Sequence, residues 1–165
     1  MNRLIAAVLV SFVLLATPNV AEAQTVNGYQ IGPGANLQGS NLYQANLAGY
    51  DLTGANLSGA NLAFANLQGT NLSHANLSSA QLSNASLAGA NLTNANLSGA
   101  IANYVDLTTA MFAGISLANT SLMGANLQGL DLTKLNLTSA SLRGVNFSGA
   151  ILDGNDLSGV DLYRS

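Results

Sequence analysis

The sequence predicts an all-β solenoid, a chain wound into a stack of square coils, and three observations carry that expectation. A five-residue pattern runs without insertion or deletion from Leu37 to Leu162, and of its 26 centres 23 are Leu, two are Phe (Phe112, Phe147) and one is Ala (Ala102). Ala is preferred two residues before the centre, and the residue just before it is Asn or Asp in 18 of the 26 cases. Every glycine beyond Gly34 stands two residues after a centre. A helix repeats at about 3.6 residues and a strand at about 2, so a period of five fits neither. It fits a chain that runs briefly extended, turns a corner and starts again.

The N-terminal element comes first. Residues 1–23 read as a helical secretory signal: Arg3 and the free amine are positive, Leu4 to Ala16 is an uncharged apolar run, and Ala21-Glu22-Ala23 offers a signal peptidase its small residues, with the cut before Gln24. The apolar run is short against the ~20 residues of a membrane-spanning helix. The absence of a twin arginine favours the general secretory route. The mature chain is therefore expected outside the cytoplasm, in the periplasm or, for a cyanobacterial source, the thylakoid lumen, with no membrane association once the signal is removed. Residues 24–34 form a lead-in, and residues 35–165 form the solenoid.

Within one repeat, residues two apart share a face of extended chain. The small residue and the central Leu both point inward, and the Asn or Asp between them points outward. The two residues after the centre make the corner. A type II turn needs positive φ at its third residue, which Gly and Asn tolerate. Gly39, Gly49, Gly54, Gly59 and Gly69, with Asn84, Asn94 and Asn119, stand there. Four corners close a coil of 20 residues, and stacked coils satisfy one another's backbone amides.

Segments such as Ala55-Asn56-Leu57-Ser58-Gly59 and Ala95-Asn96-Leu97-Ser98-Gly99 resemble the pentapeptide-repeat family, whose motif is Ala-Asn/Asp-Leu-x-x. The resemblance covers residues 35–164 and implies a right-handed quadrilateral β-helix. Its 26 repeats over four sides make about 6.5 coils. At a strand spacing of about 4.8 Å the stack is roughly 31 Å long. Tyr50, Ile115, Leu130, Leu135, Val145, Asn155 and Val160 occupy the small-residue slot and are expected to distort their coils. At Ala102 two outcomes are open: Ile101 turns inward to fill the gap, or the register holds and Ile101 stays outside. The in-phase motif Val105-Asp106-Leu107 favours the second.

Several function classes are excluded by composition. Charged residues are 7% of the chain, the formal net charge is −3, and the cations are Arg3, Lys134, Arg143 and Arg164 only, which leaves no basic surface for nucleic acid. There is no cysteine, so disulfide, thiolate and zinc–sulfur chemistry are out. His74 falls at a solvent-facing corner, and Asp51, Asp106, Asp131, Asp156 and Asp161 fill the outward motif slot. Asp153, Asn155 and Asp156 miss the calcium-loop template because Leu157 stands where an oxygen ligand belongs. No catalytic residue, metal ligand or cofactor site is expected, and the chain is not expected to be an enzyme. The family also includes acidic, cytosolic, topoisomerase-directed DNA mimics. This chain departs from them in having few carboxylates and an export signal.

One side of the square stands out. Residues 20 apart stack on the same side, and Tyr43, Phe64, Ile101, Tyr104, Met123 and Tyr163 all belong to repeats centred on Leu42, Leu62, Ala102, Leu122 and Leu162. The other outward bulky apolar residues, Met111 and Ile151, lie on a second side. A large exposed apolar patch marks a partner site. These six residues are the candidate partner-binding face of a non-catalytic scaffold, with Ile101 and Tyr104 as its anchors and an unidentified protein as its partner. The alternative is self-assembly, possibly a dimer, through the coil ends: the last repeat stops at Ser165 with no covering helix, and open edges invite pairing.

Overall fold

The computed structural model describes residues 24–133 and 135–165. The predicted signal segment, its helix and its cleavage before Gln24 fall on residues 1–23, outside the described residues. The described chain opens on a hairpin of two antiparallel strands, β1 (Gln24–Val26) and β2 (Tyr29–Ile31). Asn27 and Gly28 join them with φ of 51° and 83°. Two successive positive φ values are what a tight hairpin turn matched to strand twist requires, and Asn-Gly suits it. Ile31 is buried with the core, and the Tyr29 hydroxyl accepts the Asn41 N–H at 3.1 Å.

From Asn36 on, parallel bridges join residues 20 apart: Asn36 to Asn56, Asn41 to Asn61, and so on to Ser141 with Asp161. One coil is therefore four repeats. Three main-chain bonds recur at most levels. Leu57 N–H donates to Asn76 C=O at 2.7 Å, Gly59 N–H to Ser78 C=O at 2.8 Å, and Asn76 N–H to Ala55 C=O at 2.9 Å. Among the described residues all three are missing between the centres Leu87 and Leu107, Phe112 and Leu132, and Leu137 and Leu157. At every corner of the repeats except the one after Ala102, the next repeat's first N–H returns to the carbonyl of the central residue in a β-turn, as Ala60 does to Leu57 at 3.0 Å. Among the described residues every corner except Thr109 has φ of 55–76°, including Gly39, Gly49, Gly54, Gly59, Gly69, Asn84, Asn94 and Asn119 as expected.

The preference for Asn or Asp has a physical cause beyond pointing outward. The Asn56 Oδ1 accepts the Ser58 N–H at 3.2 Å, and Asp106 Oδ1 accepts the Thr108 N–H at 3.1 Å. These side chains cap the corner that follows them, as Asx residues do in turns. They also form ladders between coils: Asn91 Nδ2 donates to Asn71 Oδ1 at 3.2 Å.

The central leucines line the interior, and from Leu42 to Leu82 each is fully inaccessible to solvent. Burying one contributes roughly 1.5–3 kcal/mol of transfer free energy. The neighbouring slot is narrow, and the turn bond beside it measures the fit. Where Ala fills the slot, the returning bond is 3.0 Å or shorter, as at Ala65 (3.0 Å) and Ala125 (2.9 Å). It lengthens to 3.2 Å at Tyr50 and Val145 and to 3.3 Å at Ile115, Leu130, Leu135 and Asn155. The expected distortion is present at these six residues, whereas at Val160 the bond is 3.1 Å, no longer than at Ser40 or Thr70. Small hydroxyls fit when they find a carbonyl: Thr70 and Thr120 donate to Leu47 and Leu97 C=O at 2.7 and 2.8 Å.

Candidate functional site

The candidate face is built from the corner and outward positions of one wall, whose centres are Leu42, Leu62, Leu82, Ala102, Leu122, Leu142 and Leu162. All six predicted residues are exposed there: Tyr43, Phe64, Ile101, Tyr104, Met123 and Tyr163. Ile101 is 46% exposed while Ala102 is fully buried. Ile101 bridges Gln81 below and Ser121 above, so the register holds and Ile101 faces outward.

The face divides into two groups. Tyr43 and Phe64 meet edge to face, with ring centroids 5.7 Å apart. The next coil presents Gln81, Ser83 and Asn84, which are polar and separate this pair from the rest. The second group is Ile101, Tyr104, Met123 and Tyr163. Asn103 joins its coils, accepting the Ser121 hydroxyl at 2.7 Å and the Met123 N–H at 3.0 Å on one oxygen. The Tyr104 ring lies over the next corner: a Cβ at Gly124 would come within 2.6 Å of it. Glycine at that corner is what lets the ring lie flat along the wall.

Two residues absent from the sequence-based selection complete the second group. The Arg143 guanidinium stands 5.0 Å from the Tyr163 ring centroid and that of Arg164 stands 5.2 Å from it. Both are within the range of attraction between a cation and an aromatic face. Arg143 also faces Asp161 at 3.8 Å, both side chains half-exposed, an ion pair worth little in water. The signal was available, since Arg143 lies 20 residues before Tyr163 and Arg164 follows it. Both are cationic, so apolar patterning alone does not reveal them. Tyr104, Met123, Gly124, Arg143, Gly144, Tyr163 and Arg164 together line a shallow cleft of about 200 Å³.

His74 is exposed at its corner, as expected. Three carboxyls are perturbed: Asp51 is held below its ordinary range by the Thr53 hydroxyl and N–H, Asp131 by the Thr133 N–H and hydroxyl, and Asp156 by the Ser158 hydroxyl and N–H. These shifts are the turn-capping bonds of the motif and need no catalytic explanation. No cluster of three or more His, Cys, Asp or Glu suited to a metal ion occurs among the described residues. No helix among them is long and apolar enough to cross a membrane.

A family model for pentapeptide repeats, in 8 copies, matches residues 35–74, 75–112, 103–138 and 131–165. Among solved structures, the chain is similar to HetL, a pentapeptide repeat protein involved in heterocyst differentiation regulation from the cyanobacterium Nostoc sp. strain PCC 7120. The two are 32% identical with a TM-score of 0.53, over 78% of this chain and 62% of HetL. It is similar in fold to QnrB1, a plasmid-mediated fluoroquinolone resistance protein, at 22% identity and a TM-score of 0.55, over 82% of this chain and 68% of that one. A pentapeptide repeat protein from the Arabidopsis thaliana thylakoid lumen is 32% identical over 64% of this chain and 63% of that one, with a TM-score of 0.42. HetL and QnrB1 are right-handed β-helices, the hand expected for the coil. No curated protein matches the chain.

Proposed function

The chain belongs to the pentapeptide-repeat family, and from that premise we propose that it is a non-catalytic scaffold that acts outside the cytoplasm by binding a protein partner through its aromatic wall. The observation that carries this reading is the backbone beneath two of the exposed rings. Phe64 and Tyr104 occupy corners with φ of 60°, where most corners hold glycine. A left-handed backbone costs a bulky L-residue roughly 1–2 kcal/mol. Both rings are more than half exposed, so little burial offsets that cost. Strain kept at an exposed position supports a surface role. Placement outside the cytoplasm rests on the predicted signal at residues 1–23.

The six carboxylates of residues 24–165 are scattered over all four sides, Asp51, Asp131 and Asp153 on one and Asp106, Asp156 and Asp161 on the others. That scatter argues against a DNA mimic, which needs rows of negative charge. The self-assembly reading draws on one observation. In the last coil Leu152 and Leu157 are only half-buried and Leu162 is exposed, whereas the hairpin residue Ile31 is buried in the core at the other end. Light scattering over a concentration series separates the two readings, since a scaffold keeps one mass and a self-assembler does not. For the scaffold reading, the double change Ile101→Asn, Tyr104→Gly restores the consensus at that repeat. Partner recovery from the exported fraction is expected to fall at least tenfold. Undiminished recovery would overturn the aromatic wall as the binding face.

A further inference from the structure

The wall opposite the aromatic one is breached. Its centres are Leu52, Leu72, Leu92, Phe112, Leu132 and Leu152, ten residues out of step with the aromatic wall and hence two corners away. On this wall each earlier pair of coils makes all three ladder bonds; between the coils of Leu92 and Phe112, for example, Leu92 N–H bonds Met111 C=O at 2.9 Å, Asn94 N–H bonds Ala113 C=O at 2.8 Å and Met111 N–H bonds Ala90 C=O at 2.9 Å. Among the described residues, no bridge joins Met111 to Asp131, and Phe112, Gly114 and Asp131 do not make the corresponding bonds. The ladder closes again one coil on, where Leu132 N–H donates to Ile151 C=O at 2.8 Å.

The cause is in the side chains. Leu130 and Leu135 stand in the slots that Ala fills elsewhere, one on each side of the centre Leu132. One level below the centre Leu132 that they flank is Phe112, larger than the usual Leu. Three oversized groups bracket one level of one wall, and the two leucines are only partly buried. Between residues 110–116 and 130–136 the wall opens into a cleft of about 690 Å³, lined by Phe112, Ile115, Leu130, Leu135, Asp131 and Thr133 among others. That volume lies within the roughly 300–1,000 Å³ of small-molecule sites. The exposed apolar residues of this wall, Met111 and Ile151, flank Asp131 on successive levels of its outward column, so the mouth is apolar on both sides.

We propose that this breach is a binding site for a neutral, apolar small molecule. The phenyl and leucyl groups supply its floor, and the main-chain N–H of Phe112 and Gly114, left out of the ladder, supply hydrogen bonds to a carbonyl or hydroxyl on the ligand. The proposal is independent of the aromatic wall, which lies on the other side of the coil.

Nile red, a neutral apolar dye with a carbonyl group, serves as the probe on the mature chain. Saturable binding near one dye per chain, with blue-shifted emission, is expected. The double change Leu130→Ala, Leu135→Ala restores the consensus slots and should close the wall, weakening dye binding at least tenfold. Hydrogen exchange reads the same change directly, since the Phe112 and Asp131 amides should exchange at least tenfold more slowly in that variant. Leu162→Gln, at the exposed last coil, should leave dye binding unchanged. The proposal fails if the dye does not saturate, if the double variant binds it as well as the parent does, if the two amides are no better protected, or if Leu162→Gln abolishes binding.

Discussion

Corner residues decide how this coil spends its conformational freedom. Most corners are glycine, but Phe64 and Tyr104 hold a φ of 60° with large side chains. Replacing Tyr104 with glycine removes the steric cost of the left-handed backbone and little packing, because the ring is 60% exposed. Tyr104→Gly is therefore expected to raise stability by roughly 1 kcal/mol, read as a higher urea midpoint, while weakening partner binding. A lower midpoint would mean that the ring is structural. Acid sensitivity also belongs to single residues. Thr53 donates to Asp51 from its hydroxyl at 2.6 Å and from its N–H at 3.0 Å, holding the carboxyl below its ordinary value of 3.8. The folded value is the lower one, so the contribution is complete above about 3.8 and is lost as pH falls through the folded value. Asp51→Asn keeps the turn cap without the charge. It should unfold at a slightly lower midpoint than the parent near neutral pH and lose less stability on acidification below that range. Parallel acid curves for the two proteins would contradict this.

At the scale of the repeat, the small inward slot and the centre share one interior, and their volumes must agree. Ala102 removes most of a leucine from one wall, and Phe112, ten residues on, adds a larger ring on the opposite wall of the same coil. Both are buried. Ala102→Leu alone should overpack the coil, costing about 1–3 kcal/mol. Phe112→Leu alone should open a void at a cost of about 1–2 kcal/mol. Made together, the two should cost less than their sum by about 1 kcal/mol, the size of coupling expected for residues sharing a core. Strict additivity of the denaturant midpoints would show that the two walls pack independently. The distortion itself was legible in the sequence, since the oversized slots at Ile115, Leu130, Leu135 and Asn155 are where the turn bonds reach 3.3 Å. The opening of the ladder was not. It depends on Leu130 and Leu135 flanking a centre one level above Phe112, a coincidence of interior volumes that the five-residue pattern by itself does not display.

For the whole molecule, one period fixed nearly everything about the fold: the coil length, the direction of the leucines and the corner conformation all follow from five residues repeated in phase. The site was legible in position and incomplete in chemistry. The six apolar residues do share a wall, but the polar coil at Ser83–Asn84 splits them, and the guanidinium groups of Arg143 and Arg164 against Tyr163 give the second group a cationic character that a search for apolar side chains misses. The two special walls face away from each other, so macromolecular contact at the aromatic wall leaves the other free. A photo-crosslinking side chain placed at Tyr104 on the aromatic wall, and in a second protein at His74 on the opposite wall, tests this directly in the exported fraction. Both positions are exposed corners with φ near 60°, so the comparison changes the wall and little else. One discrete adduct is expected from position 104 and none from position 74; equal adducts from both, or an adduct from position 74 alone, would contradict the aromatic wall as the binding face.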